Sequence, residues 1–331
     1  MPDRDHSHSH PRDSTVMPSI WGRLGAVIMI PVLLIAAAAV AGPPPSERGE
    51  NALVCGELEQ RVRTRGGPHN PVQRSYDLFD AAERGCVSLV EGLLGQGAQL
   101  EAYDRFGNTP LLLAAQKGHT ELVRSLLARG AEIDHTNVAG STALLRAVDA
   151  NRRRTAQLLL QAGADTGIAN GKGITPLIAA AFNGNDRLVD LLLAAGVATD
   201  AADRTGRSAL VYAAGKGFTR IVEALLDHGM TVDARDAHQL TPLMWAAGHS
   251  ADVPVQEGLA TVELLLARGA ELDLADDRGR TALMLAAEAG HAEIARLLLE
   301  RGVDPTRLDQ AGLSAMDLAA SEAVRVALAA R

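Results

Sequence analysis

The residues that could do chemistry in this chain are histidines, aspartates and two cysteines, and their spacing indicates what kind. Asp104, Asp203, Asp236, Asp276 and Asp309 recur in one register among turn-forming residues. Short carboxylates in that setting bond nearby backbone N–H groups and shape turns. His119 and His291 each follow a glycine between two apolar runs, a recurring position that reads as architecture rather than catalysis. His6, His8 and His10 alternate with serines and could hold a metal, but a tail without fixed structure suits them better. No phosphate loop, Gly-x-Ser-x-Gly or His-Glu-x-x-His occurs. Cys55 and Cys86 are too few for a disulfide framework or a four-thiolate zinc site. No catalytic residue, cofactor or metal is therefore expected, and the chain reads as a non-enzyme.

Composition narrows the partners. The 331 residues are 47% hydrophobic, enough for a sizeable core, and carry a net charge of -8. That charge lacks the basic excess needed to neutralise many phosphates, so nucleic acid is not an expected partner. Lysine is confined to Lys117, Lys172 and Lys216 against many arginines, a usage that points to a GC-rich, bacterial genome.

The positions singled out above belong to a repeat. Gly107-Asn-Thr109-Pro110-Leu111 returns in variant form at Gly140, Gly173, Gly206, Gln239, Gly279 and Gly312, every 33 residues apart from one interval of 40. In the unit opened by Gly107, Thr109 is placed to cap a short helix and Pro110 fits its first turn. Ala114 and Ala115 permit close stacking, Gly118 breaks the chain, and Leu122, Leu126 and Leu127 stripe a second helix ended by Gly130. The order Gly-x-Thr-Pro-Leu, Ala-Ala, Gly-His, Leu-Leu, Gly-Ala resembles the ankyrin repeat family, over residues 75–331. One departure is apolar: the family's histidine after Thr-Pro-Leu is replaced by Leu112, Leu145, Ile178, Val211, Met244 and Met284. The resemblance implies an all-α solenoid of stacked helix-turn-helix units with hairpin-like loops. About eight units are expected, the two outermost serving as caps.

Ahead of the repeats, residues 1–23 read as a tail, 24–41 as a signal peptide or transmembrane anchor, and 42–74 as a linker with a short helix patterned on Leu53, Leu58 and Val62. The 18 uncharged residues 24–41 are at the short end for a membrane span, while the Ala39-Val40-Ala41 ending suits signal peptidase, so cleaved and uncleaved forms both stand. A start at Met17 instead of Met1 gives a more compact leader. Arg4, Arg12 and Arg23 before the segment, against Arg48 behind it, orient the repeats away from the cytoplasm. The expected location is periplasmic or otherwise extracytoplasmic, with membrane attachment if the segment is retained. In an oxidising compartment Cys55 and Cys86 could pair and fasten the linker helix to the first repeat; otherwise they stay free thiols.

The resemblance also implies a concave face lined by the first helices and loop tips, and hence a protein-binding role. Residues expected to meet a partner are Phe106 at a tip and Arg146, Phe182, Tyr212, Lys216, Trp245 and His249 on the helices. Tyr212 and Trp245 hold equivalent places in adjacent repeats, a pairing suited to an interface hot spot or, more plainly, to packing between repeats. The long interval puts seven extra residues near Ser250–Glu257, between the helices of one repeat. The expected function is a monomeric extracytoplasmic scaffold for a partner protein, with a secreted effector that binds a host protein as the alternative.

Overall fold

The computed structural model describes residues 47–64, 70–250 and 252–330, all within the unit spanning Ser46–Arg331. The expected signal or anchor segment, 24–41, lies outside them, and no helix among the described residues is long and apolar enough to cross a membrane.

Helix α1 (Glu47–Thr64) precedes seven helix pairs and a last single helix. The pairs are α2 (Pro71–Arg84) with α3 (Val87–Gly95), α4 (Pro110–Lys117) with α5 (Thr120–Ala128), α6 (Ala143–Asp149) with α7 (Arg153–Gln161) and α8 (Pro176–Phe182) with α9 (Asp186–Ala194). They continue with α10 (Ala209–Gly215) and α11 (Thr219–Asp227), α12 (Pro242–Ala247) and α13 (Val255–Ala267), and α14 (Ala282–Ala289) and α15 (Ala292–Glu300), before α16 (Glu322–Ala329). Among the described residues the only β-like feature is an isolated bridge between Ala202 and Ser208.

The first helix of each central pair starts where its cap dictates. Thr109, Thr142, Thr175, Ser208, Thr241 and Thr281 each accept, through the side-chain oxygen, the backbone N–H three residues on, with Pro110, Pro176 and Pro242 opening three of the helices. These helices are flanked by others of their kind, and the small pairs Ala114–Ala115, Ala180–Ala181, Ala213–Ala214, Ala246–Ala247 and Ala286–Ala287 are fully buried between them. The second helices bury one stripe each, as Leu122, Val123 and Leu126 do on α5.

The connecting loops follow a single plan. Asp203 Oδ1 accepts the N–H groups of Thr205 (2.8 Å) and Arg207 (3.0 Å). Asp104, Asp236, Asp276 and Asp309 do the same two and four residues on, and Asn137 and Asn170 serve equally well. Each shaped loop then bonds its neighbour through the backbone. The Phe106 carbonyl accepts from Val138 N–H, Ala139 from Gly171, Lys172 from Arg204, Thr205 from Ala237, His238 from Asp277 and Arg278 from Gln310, at 2.8–3.1 Å. The ladder keeps its register across the 40-residue interval. The seven extra residues are absorbed away from the tips, in the connection 248–254 and in α13, which has 13 residues against nine in α11.

Three details differ from the sequence reading. The first repeat's helix begins at Pro71, capped by Asn70, inside the stretch read as linker. On α1 the buried seam is Leu58 and Val62 with half-buried Cys55, while Leu53 is 73% exposed; five residues before Leu58, it falls off that helical stripe. In the last repeat the first helix is reduced to turns at Ala315–Leu318, with Ser314 and Asp317 bonded to each other. A disulfide joins Cys55 to Cys86, the residue preceding α3, closing a loop with a sequence separation of 31.

The loop tips make opposite demands at two equivalent positions. Gly206 has φ +77°, and a Cβ there would lie 2.5 Å from Ala237 N, inside the tip-to-tip contact. Gly206→Ala should destabilise by about 2 kcal/mol or more. Gln239 adopts the same left-handed region at φ 64°, which disfavours a side chain. Gln239→Gly should raise the urea unfolding midpoint, by an amount corresponding to about 0.5–1 kcal/mol.

Candidate binding site on the first helices

Tyr212 on α10 and Trp245 on α12 are half-buried and pinned by their own repeats. The Tyr212 hydroxyl donates to Asp203 Oδ2 at 2.6 Å, and the Trp245 indole N–H to Asp236 Oδ2 at 3.1 Å. The loop aspartates thus use one carboxylate oxygen to shape the turn and the other to fix an aromatic ring.

Arg207, only 6% exposed, organises the pair. Its guanidinium carbon lies 4.5 Å from the Trp245 ring centroid and 5.9 Å from that of Tyr212, and its Nε is 3.9 Å from Asp236 Oδ2. A cation held against aromatic faces with little water gains most from this contact. Phe182 on α8 meets Tyr212 edge-on, with centroids 5.3 Å apart, and remains 38% exposed. Lys216 Nζ reaches within 6.0 Å of the Phe182 ring and 3.4 Å of Asp252 in the insertion. Phe182, Tyr212, Lys216 and Trp245 are therefore brought into one cluster, tied to the inserted segment.

The other expected residues stand elsewhere. Arg146 donates to Gln116 Oε1 of the preceding repeat. Phe106 is 54% exposed at its tip, under the Arg105 guanidinium at 4.6 Å. The expectation that His249 faces a partner is corrected: it is 2% exposed. The insertion folds over it, with Gly258 of α13 so close that a Cβ there would meet His249 Nε2, and its other face stacks on His291 with ring centroids 3.9 Å apart. His249 Nδ1 donates to the Ser250 carbonyl and His291 Nδ1 to that of Ala247. His119 Nε2 likewise donates to the Glu83 carbonyl of the preceding repeat.

Arg207 escaped the sequence reading. The available signal was a charged residue immediately before the helix cap, where other repeats hold Asn108, Ser141, Ile174 and Leu240. Arg280 shares that register and also reaches forward, its Nε donating to Asp309 Oδ2 at 3.2 Å. Asn108 also reaches forward, its Oδ1 accepting from Asn137 Nδ2 at 2.8 Å.

Among the described residues no group of three or more potential metal ligands converges. The geometry is that of a rigid helical-repeat stack that presents side chains already held in place. A family model described as ankyrin repeats (3 copies) matches residues 78–170, 177–254 and 252–329. The chain belongs to the ankyrin repeat family, whose repeats are in general protein–protein interaction modules without enzymatic activity. It is similar to human ankyrin repeat domain-containing protein 63, with 48% identity over 60 residues, 18% of this chain and 16% of that protein. An ankyrin repeat-containing protein of Treponema pallidum (strain Nichols) is 50% identical over 56 residues, 17% of this chain and 19% of that one. The chain thus matches under a fifth of the length of each of these relatives.

Burial, together with the Asp203 carboxylate, pushes the Tyr212 hydroxyl up to about 12. Its neutral form is favoured by folding, so this contribution to stability holds below the ordinary value of 10.0 and is lost as pH rises toward about 12. Asp203→Asn keeps the turn, as Asn137 and Asn170 show, but removes the charge. Phenolate absorbance should then show Tyr212 ionising at lower pH. Burial also holds His291 below 6.5, against its bond to Ala247 and with a smaller push from His249. Folding favours its neutral form, so stability should fall as pH drops below 6.5, and hydrogen exchange should show α13 and α15 loosening first.

Proposed function

We propose that this chain binds a partner protein across its first-helix face, centred on Phe182, Tyr212 and Trp245, and that it does so outside the cytoplasm. The observation that carries the binding role is the buried Arg207 between two half-buried aromatic rings, whose polar atoms are already satisfied by Asp203 and Asp236. What such rings leave for a partner is apolar and aromatic surface fixed before contact, so little ordering entropy opposes association. Aromatic and arginine side chains of this kind dominate interface energetics. The extracytoplasmic setting is supported by the uncharged segment 24–41 with its preceding arginines and by the Cys55–Cys86 pair, since a disulfide persists in oxidising compartments.

A second reading, a secreted effector that binds a host protein, draws on the Ala39-Val40-Ala41 ending, which suits cleavage. Recovery from culture supernatant instead of the cell envelope distinguishes it.

Crosslinking capture from intact cells should yield a partner with the wild-type chain and about tenfold less with Tyr212→Ala/Trp245→Ala, circular dichroism confirming that the variant folds. Equal capture by both removes the first-helix face from consideration. Thiol trapping in intact cells tests the compartment separately: Cys55 and Cys86 should resist alkylation until reductant is added, and immediate labelling of both would contradict export.

A further inference from the structure

A second surface lies on the other side of the stack, where the turns between paired helices face away from the loop tips. A cleft of about 1020 Å³ runs across the first three repeats, bounded at one end by the Cys55–Cys86 disulfide. Its lining brings together Lys117, Arg124, Arg152, Arg153 and Arg154 against two carboxylates, Glu59 and Glu121. Lys117 pairs with Glu83 at 2.8 Å and Arg124 with Glu121 at 3.7 Å. The three consecutive arginines form no ion pair with a carboxylate among the described residues. Arg152 is held in place, its stem packed on Gly118 and its Nε donating to the Gln116 carbonyl at 3.1 Å. Arg153 and Arg154 are exposed.

The fold does not account for Arg153 and Arg154. They occupy the first turn of α7, after Arg152 at its N-cap, where the positive end of the helix dipole disfavours cations. The corresponding turns of α5, α9, α13 and α15 carry Glu121, Asp186, Glu257 and Glu293. On α11 the cation Arg220 is compensated by Asp186 and Asp190 of the preceding repeat. On α9 Arg187 shares its turn with Asp186, so α7 is the one described second helix whose first turn holds cations with neither an acidic residue in the same turn nor an ion pair, in a chain whose net charge is -8. Local rules are broken without structural return chiefly at functional or strained sites, and no strain is evident at these exposed side chains. Neither α5 nor α7 has a side-chain cap, so backbone N–H groups at their N-termini add to the positive potential of the cleft.

We propose that this cleft is a binding site for an acidic, extended stretch of polypeptide. The volume is at the upper end of the roughly 300–1,000 Å³ of small-molecule sites and far exceeds a phosphate group. The cations are spread over two repeats, which suits several carboxylates along a chain, and half-buried Val87 and Leu158 add apolar wall to the same cleft. The site is separate from the aromatic cluster of the fourth to sixth repeats.

The test uses the full chain and a variant that restores the helix-dipole rule, Arg153→Glu/Arg154→Glu, which should unfold at a higher temperature than wild type. Fluorescence anisotropy with a labelled peptide of mixed Glu, Asp and Leu should show binding that weakens as salt rises and is at least tenfold weaker in the variant. A charge-reversed Lys and Leu peptide should not bind. Equal affinity of wild type and variant for the acidic peptide, or no binding by either, overturns the proposal. So does preferential binding, dependent on Arg153 and Arg154, to inorganic phosphate or to phosphatidylglycerol vesicles. Tyr212→Ala/Trp245→Ala should leave peptide affinity unchanged; loss of binding there would merge the two surfaces into one and overturn the separate site.

Discussion

One side-chain oxygen accepting two backbone N–H groups, two and four residues on, is the contact from which the stack is built. It recurs from Asp104 to Asp309 with Asn137 and Asn170 as equivalents. By setting the loop, it aligns each tip to bond the next, and the tips in turn bring the alanine pairs of successive first helices into contact. At Asp203 and Asp236 the carboxylate's second oxygen also holds an aromatic ring on the first-helix face, whereas at Asp104, Asp276 and Asp309 it accepts from Asn108, Arg278 and Arg280. Architecture and surface chemistry share one residue, which is why a periodic aspartate here is informative about binding although it takes no part in catalysis.

Much of this was legible in the sequence because it depends on short-range chemistry. The Thr-Pro start, the Ala-Ala pair and the Asp-to-Gly loop each act within a few residues, so their spacing alone reveals them. What was not legible depends on contacts between repeats. His249 follows an inner helix like any variable surface residue, yet the folded-back insertion covers it and His291 stacks beneath it. Arg207 lies near Tyr212 in sequence, but its closer aromatic partner Trp245 and its acidic partner Asp236 belong to the next repeat. Leu53 shares the apolar character of Leu58 and Val62, but its helical angle places it outside the seam. Of the expected interface residues, four assemble into a cluster, while Phe106 and Arg146 are held at other repeats by Arg105 and Gln116.

The two faces rely on different physics. Near Arg207 the charge is enclosed and its partners are internal, so the surface left over is aromatic and insensitive to salt. On α7 the charges are outward and uncompensated, so attraction there acts over a Debye length and fades as ionic strength rises. A solenoid can keep such surfaces independent because each repeat touches only its neighbours.

That same nearest-neighbour construction gives the disulfide a directional effect. The outermost members of a linear array have one neighbour instead of two, and here the first is covalently closed at Cys55–Cys86, whereas the last described repeat is attached by packing and by bonds such as Ala320 N–H to the Ala287 carbonyl. Under heat the described stack would therefore loosen first at the end away from the disulfide. The aromatic cluster, nearer that end, would lose its packing while the basic cleft beside the disulfide was still formed, so the two surfaces would differ in how long they survive partial unfolding.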